Sequence, residues 1–220
     1  MRLSRRRVGL VLLVLPLALV TLIWWQLDWL QAQLYFLVLD SEERVESLRV
    51  AEVVEALEVE AGTSVADIGA GTGLFTWPLS VAAGEEGTVY AVDINPTLLA
   101  HLEEQTRERN LENVQVVRGG FDDPLLPEPV DLIFICDTLH HIDAPDRYLR
   151  TLRQHLRPGG RVAVIDFRSG ESPHFMASRK YSELDLFAWM QAAGYGPARR
   201  HDLLEENFFL VFECIDCPEA

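Results

Sequence analysis

The sequence predicts an α/β fold: a doubly wound, mostly parallel sheet with helices on both faces, preceded by an N-terminal membrane helix. Three observations carry this. From residue 41 onward, short apolar runs alternate with segments of helical periodicity. One of those runs enters a glycine-rich turn, Gly69-Ala70-Gly71-Thr72-Gly73. Ahead of them, Arg2, Arg5, Arg6 and Arg7 precede an uncharged apolar run from Val8 to Trp25.

That N-terminal run is 18 residues long, and at about 1.5 Å per residue it reaches roughly 27 Å, enough to cross a hydrocarbon core. Trp24, Trp25 and Trp29 stand at its far end, where amphipathic rings favour the interface. A cleaved signal peptide would need a shorter apolar region and a better cleavage site than Leu30-Gln31-Ala32. A buried core helix would not be fenced by four arginines. A retained anchor over residues 8–25 is therefore expected, with residues 26–39 continuing it along the surface or packing on the domain. The basic N-terminus argues for a cytoplasmic start, and Ser4-Arg5-Arg6-Arg7-Val8 resembles the opening of a twin-arginine export signal. The expected domains are 1–40, an anchor, and 41–220, a single α/β unit.

The elements of that unit follow in order. Ser41–Glu60 has a helical stripe of Val45, Leu48, Val53, Val54 and Leu57 behind a capping serine. Ser64–Ile68 is a strand and Leu74–Ala82 a helix. Thr88–Val92 is the second strand, and Pro96–Arg109 is a helix with proline in its first turn. Val114–Val117 is the third strand. The near-continuous apolar run Val130–Cys136 suits a strand buried on both faces. Ala144–Leu156 is a helix, Arg161–Phe167 the fifth strand, Glu183–Ala193 a helix stopped at Gly194, and Asn207–Cys214 the last strand. The hydrophilic stretch Arg168–Arg179 reads as a mobile loop.

Composition narrows the function. Hydrophobic residues are 49% and charged residues 24% of the chain, which excludes disorder. A net charge of -15 repels phosphate backbones and disfavours a nucleic-acid partner. Three cysteines, Cys136, Cys214 and Cys217, make no disulfide framework, so the thiols are expected to be reduced. The Cys214-x-x-Cys217 pair lacks a second pair or neighbouring histidines, and no metal site is expected.

The turn after the first strand carries the chemistry. Its glycines permit unusual backbone angles and close approach of a ligand. Asp93 ends the second strand 20 residues after Gly73, where a carboxylate can accept from ribose hydroxyls. The spacing is Gly-x-Gly-x-Gly rather than the dinucleotide Gly-x-Gly-x-x-Gly, and Asp67 stands two residues before it. An acid there repels a pyrophosphate and suits a cationic amino group.

The segment resembles motif I of class I S-adenosylmethionine-dependent methyltransferases, Asp-x-Gly-x-Gly-x-Gly. The similarity extends over residues 45–213 through Val89–Asp93, Val130–Ile133 and the Leu156-Arg157-Pro158-Gly159-Gly160-Arg161 turn, and is greatest to the methyltransferase-11/25-like group. The resemblance implies a Rossmann-like sheet and S-adenosyl-L-methionine as cofactor. Asp67, Gly69 and Gly71 would line the methionine end, with Ala70 and Gly73 completing the turn. Asp93 would bind the ribose, and Ile94 would pack on the adenine. The family often has Gly-Asp after the third strand; here it is Gly119-Gly120, leaving Asp122 to substitute. Asp137 would contact the cofactor.

Cys136-Asp137-Thr138-Leu139-His140-His141 follows the fourth strand, a position that faces the methyl group in that family. His140 or His141 could take a proton from an acceptor, His140 being preferred. The Asn-Pro-Pro-Tyr motif of amino-group methyltransferases is absent, again against nucleic acid. His174 and Tyr181 could reach a substrate; Cys136 and Trp77 read as packing residues. The expected activity is methyl transfer to a small-molecule or lipid-like acceptor at a membrane. The alternatives are a nucleotide-dependent oxidoreductase and a non-catalytic cofactor-binding protein on the same fold.

Overall fold

The computed structural model describes residues 41–168, 181–215 and 217. The chain divides into residues 1–41 and 42–220. The anchor expected over residues 8–25, and His174 with most of the expected loop, lie outside the described residues. Among the described residues no helix is long and apolar enough to cross a membrane.

Seven strands form one sheet in the order β3-β2-β1-β4-β5-β7-β6. They are β1 (Ser64–Ile68), β2 (Thr88–Asp93), β3 (Val114–Arg118), β4 (Val130–Cys136), β5 (Leu156–Phe167), β6 (Arg199–His201) and β7 (Asn207–Glu213). The first five run parallel, and β7 pairs antiparallel with both β5 and β6. The helices are α1 (Glu42–Ser47), α2 (Val50–Ala56), α3 (Thr76–Ala83), α4 (Pro96–Glu108), α5 (Pro145–Thr151) and α6 (Glu183–Ala192).

The period-two alternation of the strands divides the core in two. Ala66, Tyr90, Ile133, Val164 and Leu210 point to one face and pack with Leu149 of α5 and Leu186 and Met190 of α6. Val65, Ala91, Phe134, Ala163 and Phe209 point to the other and pack with Val53 of α2, Leu79 of α3 and Leu102 of α4. Every residue of β1 is buried. Helices on both faces cover the sheet, as the apolar runs predict.

Four local differences have physical causes. The helix expected over Ser41–Glu60 is two helices, because Arg49 adopts a left-handed φ of 42° while its guanidinium donates to Leu203 O at 3.0 Å. The helix expected to reach Leu156 ends at Thr151 and tightens into a 3-10 turn over Leu152–His155, where Gln154 and His155 bond to Asp123. The edge strand β6 has no apolar alternation to announce it; it is three polar residues paired to β7. Cys214 and Cys217 are joined in a disulfide, which corrects the reading of these thiols as reduced. Arg153 donates into the loop they close, at Ile215 O, and to Ala193 O and Gly194 O.

Phe134 is fully buried on the central strand β4, its ring 4.7 Å from that of Phe75. Phe134→Ala should cost about 3–5 kcal/mol in equilibrium urea unfolding. A loss below about 1 kcal/mol would contradict this placement of the core.

Candidate functional site

The strand order reverses beside β1, which has β2 on one side and β4 on the other. Ligands of open α/β sheets sit past the carboxyl ends of the strands at such a switch point. Here the glycine turn leaves β1 and the 137–141 segment leaves β4, and the two touch. A Cβ on Gly69 would stand 2.1 Å from Thr138 Oγ1, so only glycine lets these connections meet.

The turn is wound by positive φ at Gly69 (75°), Gly71 (59°) and Gly73 (90°). Gly69 N and Ala70 N donate to Val92 O at 2.8 and 2.9 Å, tying the turn to β2. Gly73 lies against Trp77, which packs on the core and carries Arg109 over its ring at 5.2 Å. Asp93 braces the turn as well: Gly71 N donates to its Oδ2 at 3.0 Å and Asn95 N to its Oδ1 at 2.8 Å. The expected cofactor residues Asp67, Gly69, Ala70, Gly71, Gly73, Asp93 and Ile94 are thus brought together at two adjoining strand ends.

Two of them are buried acids. Thr76 donates to Asp67 Oδ2 at 2.6 Å. Burial nonetheless pushes the Asp67 carboxyl up to about 7, against the lowering effect of Thr76 and helped by the charge of Asp93. Burial also raises Asp93, opposed by its backbone donors. A cationic group placed beside this pair would be stabilised by both. The turn and its acids therefore fit the amino-acid and ribose ends of S-adenosylmethionine, and a pyrophosphate fits them poorly.

The segment after β4 holds the second half. Asp137 adopts a left-handed φ of 48°. Expected to contact the cofactor, it accepts from Arg44 Nη2 at 3.1 Å and Asn207 Nδ2 at 2.9 Å. Burial raises its pKa while Arg44 lowers it. His140 is buried and its Nδ1 lies 2.7 Å from Asp166 Oδ1. A carboxylate can only accept, so Nδ1 carries the proton and Nε2 is the basic nitrogen. Asp166 also accepts from His140 N, Phe167 N and Tyr181 OH, the last at 2.9 Å. Burial and then Asp166 push the Tyr181 phenol far up, so it stays a donor. His141 is the more exposed of the two, its ring 4.1 Å from that of His140 and tilted by 47° to it; partial desolvation of its ring and then His140 lower its pKa, keeping it neutral at neutral pH. Burial and Asp137 raise the Cys136 thiol well above its ordinary value, which suits a core residue rather than a nucleophile.

Other expected residues stand apart. Asp122 is exposed, on the loop after β3. Its neighbour Asp123 is tied to Leu125 N, Gln154 and His155. Sequence reasoning missed Asp166, Arg44 and Asn207. Asp166 had a visible signal: like Asp93, it is an acid at the carboxyl end of an apolar strand. Arg44 and Asn207 had none, since their partner is distant in sequence.

Residues 66–162 match the family model described as a methyltransferase domain. The chain is 33% identical over 116 residues to the ubiquinone/menaquinone biosynthesis C-methyltransferase of Idiomarina loihiensis, covering 52% of this chain and 46% of that protein. It is 32% identical over 145 residues to the protein of the same description from Azotobacter vinelandii, covering 64% of this chain and 55% of that one. The chain thus spans about half the length of the curated relatives it matches. Among solved structures, an S-adenosylmethionine-dependent methyltransferase from Aquifex aeolicus is 26% identical, with a TM-score of 0.71 over 80% of this chain and 95% of that one.

The raised Asp67 has a consequence for stability. Between about pH 4 and 7 the folded carboxyl keeps a proton that the unfolded one releases, so stability falls as pH rises through that window. Asp93 and Asp137, also raised, add the same sign. Asp67→Asn removes one such contribution, so urea midpoints measured from about pH 5 to 7 should fall less steeply in this variant. Equal slopes for variant and parent would contradict the burial of Asp67.

Proposed function

We propose, from a chain that carries the class I S-adenosylmethionine-dependent methyltransferase fold and its glycine motif, that the protein moves a methyl group to a small, lipid-like acceptor, and that His140 is the base. The observation that carries this is the meeting of two halves at the switch point: a turn with buried acids after β1, and an imidazole locked by a carboxylate after β4. The oxidoreductase alternative is disfavoured in the same place, because two buried acids, Asp67 and Asp93, adjoin the turn.

The acceptor class is supported by the curated relatives, whose description is C-methylation in ubiquinone and menaquinone biosynthesis. A ring bearing a hydroxyl suits the site. S-adenosylmethionine, when bound, supplies an electrophilic methyl on a positively charged sulfur. Everything else falls to the chain. Asp67 and Asp93, with the turn, hold and orient the donor, and positioning accounts for much of the rate in an in-line displacement. Asp166 and Tyr181 hold His140 with Nε2 basic. His140 Nε2 would take the hydroxyl proton of the acceptor, leaving the ring electron-rich at the carbon that faces the donor; that carbon's own hydrogen would leave to solvent as a proton, and His140 would return its proton to the ring oxygen.

The tether belongs to the same reading. The arginines and the apolar run of residues 8–25 support a membrane anchor, which would bring the domain to an acceptor dissolved in lipid. The charge of -15 supports an acceptor other than nucleic acid.

One experiment tests these points together. Membrane and soluble fractions of cells producing the full chain are supplied with methyl-labelled S-adenosylmethionine and a panel of isoprenoid phenols and quinols, and products are read by mass. Label should enter the panel in the membrane fraction. Gly71→Val should abolish cofactor binding. His140→Asn should keep binding and lower transfer by roughly 10²–10⁴-fold, with Asp166→Asn shifting the pH–rate profile. Full transfer by His140→Asn would sink the base assignment; label in none of the panel would sink the acceptor class.

A further inference from the structure

The loop between β3 and β4 lacks the acid that the resemblance leads one to expect, and its side chains are arranged to do without one. Asp93 of β2 is in register with Arg118 of β3, and Gly119 N donates to Asp93 O at 3.0 Å. The residues just after each strand, Ile94 on one and the 119–125 loop on the other, therefore stand side by side at the same sheet edge. Both present large apolar side chains to solvent: Ile94 is 45% exposed, Phe121 79% and Leu125 57%. Scattered exposed apolar residues are ordinary, but three at adjoining strand ends beside a ligand site are not.

The position of the expected acid is tight and bordered by an apolar side chain. A Cβ on Gly120 would stand 3.2 Å from Asp123 O and 3.7 Å from Leu125 Cδ1, so an apolar side chain borders the place. Leu125 is held there in a left-handed conformation, φ 55°, which a leucine adopts only when its surroundings enforce it. The enforcing contact is Asp123, whose Oδ1 accepts from Leu125 N at 2.7 Å. Asp123 is in turn fixed by Gln154 and His155, at 3.0 and 2.7 Å. Its carboxylate is spent on shaping the loop. Asp122 is exposed among these residues.

We infer that Phe121, with Ile94 and Leu125, forms an apolar clamp for the adenine ring of the cofactor, and that no carboxylate reads the 6-amino group. The inference rests on the cofactor reading above. Stacking on a flat ring is indifferent to what the ring carries at position 6, because every purine presents the same apolar faces. A carboxylate accepting from the amino group is not indifferent: a carbonyl in place of that amino group turns the contact from attraction to repulsion. Base recognition by this chain should therefore rest on shape, and deamination of the base should be tolerated.

The test uses the full chain and calorimetric titration with S-adenosylhomocysteine and its deaminated counterpart, S-inosylhomocysteine. The parent protein should bind both within about tenfold of each other. Phe121→Ala, which removes an exposed side chain and leaves the core intact, should weaken both by roughly tenfold, and Asp122→Asn should leave both unchanged. Strong discrimination against S-inosylhomocysteine that disappears in Asp122→Asn would overturn the inference and return the base contact to that acid. Unchanged affinity in Phe121→Ala would also overturn it; loss of that variant's binding to phosphatidylglycerol vesicles would then assign Phe121 to lipid. Failure of the parent to bind S-adenosylhomocysteine at all would overturn the cofactor reading, and the clamp with it.

Discussion

Carboxylates buried at the carboxyl ends of parallel strands are the constraint on which the rest of the domain turns. Asp67, Asp93 and Asp166 are each nearly inaccessible to water, and an isolated buried charge is prohibitive. The chain meets the cost differently at each. Asp166 is surrounded by donors from His140, Phe167 and Tyr181. Asp93 is satisfied by the backbone amides of Gly71 in the glycine turn and of Asn95, which caps α4. Asp67 has the Thr76 hydroxyl and is left with a carboxyl near neutrality. The fully satisfied acid orients an imidazole, the braced acid shapes the turn, and the least satisfied acid carries the raised pKa.

The same logic explains why the neighbouring connections are so close. Gly69 has no side chain because Thr138 occupies its space, and Thr138 is fixed by its own bond to Cys136 O at 2.8 Å. The turn after β1 and the segment after β4 are therefore one structure. Arg44 and Asn207 add the outer support, the first pairing its charge with Asp137 and the second donating a hydrogen bond to it.

Much of this was legible in the sequence, and the reasons are local. Strands buried on both faces are written as unbroken apolar runs, so β1, β4 and β5 were plain. The turn was plain because glycine spacing and an acid at a fixed distance are sequence-local. The boundaries at Arg49 and Thr151 were not, because each is set by a contact from far along the chain: Leu203 for the first and Asp123 for the second. The antiparallel arrival of β7 and the short edge strand β6 depend on pairing, which periodicity does not encode. In the site, Asp67, Asp93, His140 and His141 were identified by motif position. The partner that gives His140 its orientation, Asp166, became visible only when β5 lay beside β4.

In the proposed function, Asp67 receives the cationic end of S-adenosylmethionine at this switch point. Calorimetric titration at about pH 6, repeated in buffers of different ionisation enthalpy, reads it directly through proton exchange. With a carboxyl near 7 in the free protein, binding a cation should ionise Asp67 and release most of one proton to the buffer, and Asp67→Asn should abolish that release. Binding with no net proton release in the parent protein would contradict the claim.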